Sequence, residues 1–259
     1  MFSTIVQKLQ DIENEHKIKI LYAVESGSRG WGFASQDSDY DVRFIYVHPT
    51  DWYLSVDAKK DIVEYPKNDL LDITGWDARK ALQLYKKSNP PLLEWLSSPI
   101  VYTDRFNFGQ EMRNLLNAYF APIPAIYHYL HIAKKHLAEI DKADDMNIKK
   151  CFYILRPMLA CRWIEKYKTM PPMEFEKLMD DQPLEERLVA EIKKLLENKM
   201  AGQEANREYK NPVVVDFLQQ QANHYDAYLN YNKKGPEPDY FALNQLFRQT
   251  LQRVWGELR

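Results

Sequence analysis

Two aspartates separated by one residue, Asp39 and Asp41, stand at the start of an apolar run in the segment D-S-D-Y-D-V-R-F-I-Y-V. Residues two apart in a β-strand share a face, so both carboxylates point the same way if Asp39 lies at the strand's start. Neighbouring carboxylates repel each other unless a cation joins them. A hard divalent ion with oxygen ligands, Mg²⁺ first and Mn²⁺ as an alternative, resolves that conflict. A third carboxylate from the neighbouring strand would complete a site for two ions ~3.5–4 Å apart.

A Gly-Ser turn precedes this pair, because Gly27 and Ser28 follow another apolar run and Asp39 comes eleven positions after Ser28. Glycine allows the backbone to approach a phosphate closely, and Ser28 offers a hydroxyl and an N–H group. A short helix beginning near Ser28 would add its positive N-terminal end. The turn and the carboxylates together are suited to the two ends of a triphosphate.

Three other interpretations of these residues explain the sequence less well: a Walker-type phosphate loop, a calcium loop and a solvated turn. A Walker-type phosphate loop requires Lys and Ser/Thr where Phe33 and Ala34 stand. A calcium loop opening at Asp37 requires Gly and Glu where Val42 and His48 stand. A solvated turn whose aspartates cap local N–H groups would explain the carboxylates alone, but it leaves the Gly-Ser turn unexplained.

The elements that must position these residues follow from hydrophobic periodicity. Residues 3–16 form a predicted helix with Ile5, Leu9 and Ile12 on one face, and residues 18–24 and 41–47 form predicted strands. Residues 61–65 and 70–73 indicate a hairpin around a turn at 66–69. Thr74 and Asp77 have the spacing of a capping box, which predicts a helix directly after the strand that carries Asp72.

Beyond about residue 100 the strand patterns stop, and six segments show helical spacing of apolar residues with prolines between them. The predicted fold class is therefore α/β (α+β), with a small mixed sheet and helices followed by a C-terminal helical bundle. The predicted division is a catalytic domain over residues 1–104 and a helical domain over 105–259.

Composition limits the functional classes. The chain has 259 residues and a formal charge of −2, so nucleic-acid binding would need a local basic patch. Its two cysteines, Cys151 and Cys161, lie in one apolar-periodic segment and are expected to be buried and reduced. No secretory signal and no apolar run of ~20 residues is found, so the expected location is cytoplasmic, without a membrane partner.

The pattern of an apolar run, Gly-Ser, a gap of about ten residues and Asp-x-Asp, here SGSRGWGFASQDSDYDVRF, resembles the DNA polymerase β nucleotidyltransferase superfamily. The run DITGWDARKALQLYKKSNPPLLEWLSSPIVY (72–102), with KKCFYILRPMLACRWI and PPMEF downstream, resembles the RNA repair pathway DNA polymerase β family of predicted nucleotidyltransferases. That resemblance covers most of the chain. It implies a nucleotidyltransferase fold, NTP as substrate, and Mg²⁺.

The resemblance also implies residue roles. Gly27 and Ser28 match the phosphate-contacting pair, and Asp39 and Asp41 match metal ligands. The third ligand in such enzymes is an acid between apolar residues on a later strand. Asp72 and Glu64 both qualify, and Asp72 is preferred because its predicted strand runs directly into a helix.

Five basic residues are further candidates for nucleotide binding. Arg29 and Arg43 flank the motif, and Arg43 shares a strand face with Asp41, so it would either contact phosphate or pair with the aspartates. Lys149, Lys150 and Arg156 lie on the helix that carries the cysteines, and in this superfamily a base from the helical domain often meets the triphosphate. The alternative for these three is a solvated helix face.

The leading hypothesis is a Mg²⁺-dependent nucleotidyltransferase that transfers a nucleoside monophosphate to an acceptor hydroxyl and releases pyrophosphate. Asp39, Asp41 and Asp72 would hold metal, and Asp72 would accept the acceptor's proton. The acceptor is an RNA end, a protein hydroxyl or a small molecule. The competing hypotheses are a non-catalytic nucleotide- or RNA-binding module on the same scaffold and a metal-dependent phosphoesterase, which would usually have histidines near its carboxylates.

Overall fold

A computed structural model describes residues 1–66, 70–140, 145–180, 182–202, 207–209 and 211–256. Its strands, numbered in chain order, are β1 (Lys19–Glu25), β2 (Tyr40–Val47), β3 (Ile62–Glu64), β4 (Leu71–Asp77), β5 (Val101–Asp104), β6 (Asp145–Asn147) and β7 (Arg207–Tyr209). The first five form one sheet in the order β3-β4-β2-β1-β5. The β2–β4 pair is parallel and the other pairs are antiparallel, so the predicted mixed sheet is confirmed.

The helices, numbered in the same way, are α1 (Phe2–His16), α2 (Gly27–Gly30), α3 (Thr50–Tyr53), α4 (Ala78–Lys86), α5 (Pro90–Leu96), α6 (Phe108–Tyr119), α7 (Pro122–Ile140), α8 (Ile148–Tyr167), α9 (Phe175–Asp180), α10 (Glu186–Met200), α11 (Pro212–Tyr231) and α12 (Phe241–Trp255). The predicted face of α1 is confirmed, because Ile5, Leu9 and Ile12 are buried against one side of the sheet. The mixed α+β class predicted from the sequence is therefore correct.

The helix start predicted at Thr74 is wrong. β4 continues through Thr74 to Asp77, and Asp77 itself caps α4 by accepting a hydrogen bond from the Arg79 N–H at 2.8 Å. Thr74 instead lies in the sheet, opposite Glu64 of β3 and beside Arg43 of β2. Asp72 is consequently near the beginning of its strand and not at its end.

The expectation that strands stop near residue 100 is also wrong. β5 pairs with β1 and extends the sheet, and β6 and β7 form a separate two-stranded ribbon within the helical part of the chain. These strands have three or four residues each, which is too short for periodicity to reveal them. The predicted turn at 66–69 falls largely outside the described residues.

The buried side chains form a core on each face of the sheet and a third core in the helical bundle. α1 covers one face, while α4, α5, α6 and α12 cover the other. Helices α7 to α11 surround the third core, which contains both cysteines as buried free thiols. The division at residue 104 stays a prediction, although α6 and α12 pack on the sheet side. Within the described residues, no helix is both long and apolar enough to cross a membrane.

Candidate active site

The chain topology gathers the acidic motif where β1 ends and where β2 and β4 begin. This end of the central strands is called the sheet edge below. β1 runs antiparallel to β2, so its last residue, Glu25, lies beside the start of β2. β4 runs parallel to β2, and its register places Asp72 directly beside Asp41. The single-turn helix α2 follows β1 and brings the Gly-Ser turn to the same edge.

Gly27 fits against the carboxylate of Asp41. The residue has φ +56°, and a Cβ added there would lie 1.9 Å from Asp41 Oδ2. A side chain at this position would therefore collide with the aspartate. The structure shows a reason for the glycine in addition to the expected approach of a phosphate: its missing side chain makes room for Asp41.

Arg43 joins two of the three predicted acids. Its guanidinium donates to Asp41 Oδ1 at 3.1 Å and to both Asp72 oxygens, Oδ1 at 3.1 Å and Oδ2 at 3.3 Å. All three side chains are mainly shielded from solvent. Arg43 thus pairs with the aspartates, which is one of the two roles expected from the sequence.

The register also separates the two candidates for the third acid. Glu64 lies on β3, and β4 stands between that strand and β2. With strands about 4.8 Å apart, Glu64 is two strand spacings from Asp41, whereas Asp72 is one. The structure therefore brings Asp72 and not Glu64 to Asp41, although the reason given for Asp72 from the sequence, a strand end before a helix, was wrong.

Arg29 hydrogen-bonds to the backbone of the aspartate motif. Its guanidinium donates to the backbone carbonyls of Ser38 at 2.6 Å and Asp39 at 3.2 Å, and it stacks over the Tyr40 ring at 3.8 Å. It lines a different cavity from the one that contains the carboxylates. In this structure Arg29 therefore fixes the backbone that leads into β2.

A cleft of about 360 Å³ opens between this edge of the sheet and the helical bundle. The Gly-Ser turn and the 35–41 segment supply one wall, and α8 and α10 supply the other. The described residues that line it are Gly27, Ser28, Trp31, Phe33, Ser35, Asp37, Ser38, Asp39, Asp41, Lys149, Phe152, Tyr153, Lys199 and Gly202. Asp39, Asp41, Gly27, Ser28 and Lys149, all predicted from the sequence, thus share one cavity.

The other residues predicted from the sequence are not among the described residues that line the cleft, namely Arg29, Arg43, Asp72, Lys150 and Arg156. Lys150 is exposed on α8. Arg156 is buried, pairs with Glu94 Oε1 at 2.6 Å, and lies over the Trp31 ring at 4.8 Å. Tyr129 donates to the same Glu94 oxygen at 2.7 Å. These contacts make Arg156 part of a buried polar cluster that joins α5, α7 and α8.

Several cleft residues were missed by sequence reasoning. Lys199, near the C-terminal end of α10, is 3% exposed, and its ammonium lies 5.3 Å from the Phe33 ring centroid. Trp31 and Tyr153 form an aromatic wall with their rings edge to face, 6.0 Å apart. The aromatic-rich segment around Trp31 was visible in the sequence, but nothing local distinguishes Lys199 from the other lysines of α10.

Phe33 connects the motif to the bundle. Its side chain is buried among bundle residues and contacts Phe152 and Phe175 at centroid distances of 4.9 and 5.5 Å. The Phe175 N–H also donates to the Trp31 carbonyl at 2.9 Å. The segment between the Gly-Ser turn and the aspartates is thereby fixed to the wall of the cleft that it faces.

Comparison with known proteins identifies the group to which the chain is related. Residues 1–249 match the model of the RNA repair pathway DNA polymerase beta family. The chain belongs to this family. It is also 45% identical over 257 residues to the uncharacterised protein YcgL of Bacillus subtilis (strain 168), with 99% of each chain covered. A crystal structure of a nucleotidyltransferase-like protein from Exiguobacterium sibiricum 255-15 aligns with 96% of this chain and 80% of its own, at a TM-score of 0.29 and 10% identity.

A family of this kind implies a divalent metal ion, and the donors at the sheet edge suit one. Carboxylate oxygens are the ligands that Mg²⁺ prefers. Two of the carboxylates, Asp41 and Asp72, already converge on a single cation, the Arg43 guanidinium. Among the described residues, however, no three His, Cys, Asp or Glu side chains lie close enough together to hold a metal ion as they stand. The donor atoms are of the kind that Mg²⁺ binds, and those of Asp41 and Asp72 are paired with Arg43 in the structure.

Proposed function

We propose that this protein is a Mg²⁺-dependent nucleotidyltransferase that moves a nucleoside monophosphate from an NTP to an acceptor hydroxyl and releases pyrophosphate. The observation that carries the proposal is the cleft, because the Gly-Ser turn, the carboxylates of Asp39 and Asp41, two lysines and several aromatic rings line one cavity. These are the kinds of group that a metal-bound triphosphate joined to a base requires. Membership of the family supports the same class of reaction.

The residues have distinct roles in this proposal. Asp39, Asp41 and Asp72 would hold Mg²⁺ or Mn²⁺. Bound metal would lower the pKa of the attacking hydroxyl and neutralise phosphate charge. Lys149 and Lys199 would bind the phosphates, because both line the cleft from the bundle side. The wall formed by Trp31 and Tyr153 would stack the base.

The transfer is a displacement at the α-phosphorus. The acceptor oxygen forms a bond to that phosphorus while the bond to the bridging oxygen of the β-phosphate breaks. Pyrophosphate leaves with the electron pair of the broken bond. The hydroxyl proton passes to Asp72, whose carboxylate Arg43 holds beside Asp41. An RNA end is the acceptor favoured by the family's description.

The test is incubation with each of four labelled NTPs, Mg²⁺, and cellular RNA or protein. We expect label on one acceptor class and pyrophosphate in solution, since each transfer releases one. The double variant Asp39→Asn/Asp41→Asn should abolish both while its circular dichroism stays that of the wild type. Undiminished transfer by that folded variant would refute the assignment.

One observation favours a second candidate function, a nucleotide- or RNA-binding module without catalysis. Arg43 already pairs with both Asp41 and Asp72 and so supplies a cation at the carboxylates that a catalytic metal ion would bind. A module of this kind would bind NTP equally well with and without Mg²⁺ and would release no pyrophosphate with any acceptor. Measuring both quantities in one titration separates the two candidates.

A further inference from the structure

A buried carboxylate behind the cleft is not used by the chemistry described so far. Glu25 is the last residue of β1 and is fully shielded from solvent. Its Oε1 accepts the backbone N–H of Asp41 at 2.8 Å, and its Oε2 accepts the hydroxyl of Tyr102. Burying a glutamate is costly, and here burial raises the pKa of the Glu25 carboxyl to about 7 despite the two hydrogen bonds.

The contacts of Glu25 fix the backbone of Asp41 on one side. On the other side, the Asp41 carbonyl accepts the Ser26 N–H at 2.7 Å. Both polar backbone groups of the aspartate are therefore held by residues of β1 and the turn that follows it. Only the side-chain torsions of Asp41 remain, and these are confined between Gly27 and Arg43.

Glu25 is itself held from two further directions. Its N–H donates to the Ile100 carbonyl at 2.9 Å, and its carbonyl accepts the Ser98 hydroxyl at 2.6 Å. Tyr102, on the neighbouring strand β5, fixes the far side of the carboxylate. The support for Asp41 thus runs across three strands of the sheet.

We infer that Glu25 is a positioning residue, which sets the place of the Asp41 carboxylate for a divalent ion by accepting the Asp41 N–H. The inference rests on the proposed function, because it assigns Asp41 to the metal. It is a hydrogen-bonding role and not a charge role, so an amide at position 25 should fulfil it. Groups that orient metal ligands in this way typically change metal affinity by roughly 10- to 100-fold when removed.

The experiment measures the affinity of the protein for Mn²⁺ by electron paramagnetic resonance without NTP, since NTP would itself bind the ion. Glu25→Ala should weaken Mn²⁺ binding at least about 10-fold. Glu25→Gln should stay close to the wild type, because its carbonyl oxygen still accepts the Asp41 N–H. Tyr102→Phe should give an intermediate loss, and it keeps the test decisive if Glu25→Ala fails to fold.

Glu13 provides the matched control. It is another buried glutamate whose carboxylate accepts a β1 backbone N–H, that of Ile20 at 2.6 Å. Ile20 lies five residues from Glu25, about 17 Å along the strand and away from the cleft. Glu13→Ala should therefore cost stability without changing Mn²⁺ affinity.

The outcomes distinguish this inference from the proposed function. Wild-type protein that binds no Mn²⁺ and transfers no nucleotide overturns both. Wild-type protein that binds Mn²⁺ through Asp41, together with unchanged affinity in Glu25→Ala or Tyr102→Phe, overturns the positioning role alone. A loss of Mn²⁺ affinity in Glu25→Gln as large as that in Glu25→Ala also overturns it, because the negative charge of Glu25 and not its hydrogen bond would then be what matters.

Discussion

At the scale of single residues, Gly27 is a position where one added methyl group should disturb the candidate site directly. In Gly27→Ala the left-handed backbone conformation costs roughly 1–2 kcal/mol of folding free energy, and the added Cβ collides with the Asp41 side chain. We expect Gly27→Ala to lose Mn²⁺ binding and nucleotide transfer. Both can be followed alongside the urea midpoint, which reports the strain.

Gly32 is the control for that substitution. It also has a positive φ, +87°, but an added Cβ meets no heavy atom within 4 Å in the described part of the chain. Gly32→Ala should therefore cost similar stability while Mn²⁺ binding survives. Equal loss of binding in both variants would show that backbone strain, and not the contact with Asp41, explains the effect.

Arg43 gives a second residue-scale prediction. Replacing it by glutamine leaves Asp41 and Asp72 facing each other without the cation that now joins them. Their repulsion should lower the melting temperature in the absence of metal, and Mg²⁺ should relieve it. The rise in melting temperature on adding Mg²⁺ is therefore expected to be larger in Arg43→Gln than in the wild type.

Arg79→Gln is the matched control for Arg43→Gln, because Arg79 is exposed just beyond the other end of β4. Its response to Mg²⁺ should equal that of the wild type. A Mg²⁺ response in Arg43→Gln that is no larger than in this control would mean that metal does not bind between the two aspartates.

At the scale of elements, the sequence predicts what local periodicity controls. The amphipathic α1, the strands β1 and β2, and most helices of the bundle follow from apolar spacing and proline breaks. Thr74 was misassigned because a capping box is a local signal, whereas β4 is defined by pairing with β2 and β3 on either side. That pairing is non-local, so the four-residue T-x-x-D pattern contained no sign of it.

The cluster around Arg156 carries the element-scale prediction. Arg156→Met leaves Glu94 buried without its cation, and breaking a buried pair in this way costs roughly 3–5 kcal/mol. We expect a loss of that order in the free energy of unfolding, measured by urea titration. Lys150→Ala, an exposed change on the same helix, should cost little.

The double variant Glu94→Gln/Arg156→Met tests the cause. Glutamine removes the buried charge and still accepts the Tyr129 hydroxyl, so most of the lost stability should return. If Arg156→Met has the same free energy of unfolding as the wild type but binds NTP poorly, the main role of Arg156 is to bind the nucleotide, as the sequence suggested, and not to form the buried pair.

At the scale of the whole molecule, the cleft depends on how the bundle packs against the sheet. The Gly-Ser turn and the aspartates could be predicted because they are only eleven positions apart in the sequence and each lies beside its own strand. Which lysines face them could not, because Lys149 and Lys199 reach the cleft from different helices of the bundle. Lys150 neighbours Lys149 in sequence and is not among the described lining residues.

A nucleotide in this cleft would contact both the sheet edge and the bundle, so binding should stabilise the whole fold. With Mg²⁺ and NTP at about 100 times the dissociation constant, the expected gain is about 2.7 kcal/mol. Lys149→Ala and Lys199→Met should both reduce that gain. Methionine is an unbranched apolar side chain, so it can fill the buried space beside Phe33 where the Lys199 ammonium lies. Lys150→Ala should leave it unchanged. If Lys199→Met is stabilised by Mg²⁺ and NTP as much as the wild type, Lys199 serves packing and does not bind the nucleotide. If both lysine variants are stabilised as much as the wild type, neither lysine on the bundle side of the cleft binds the nucleotide.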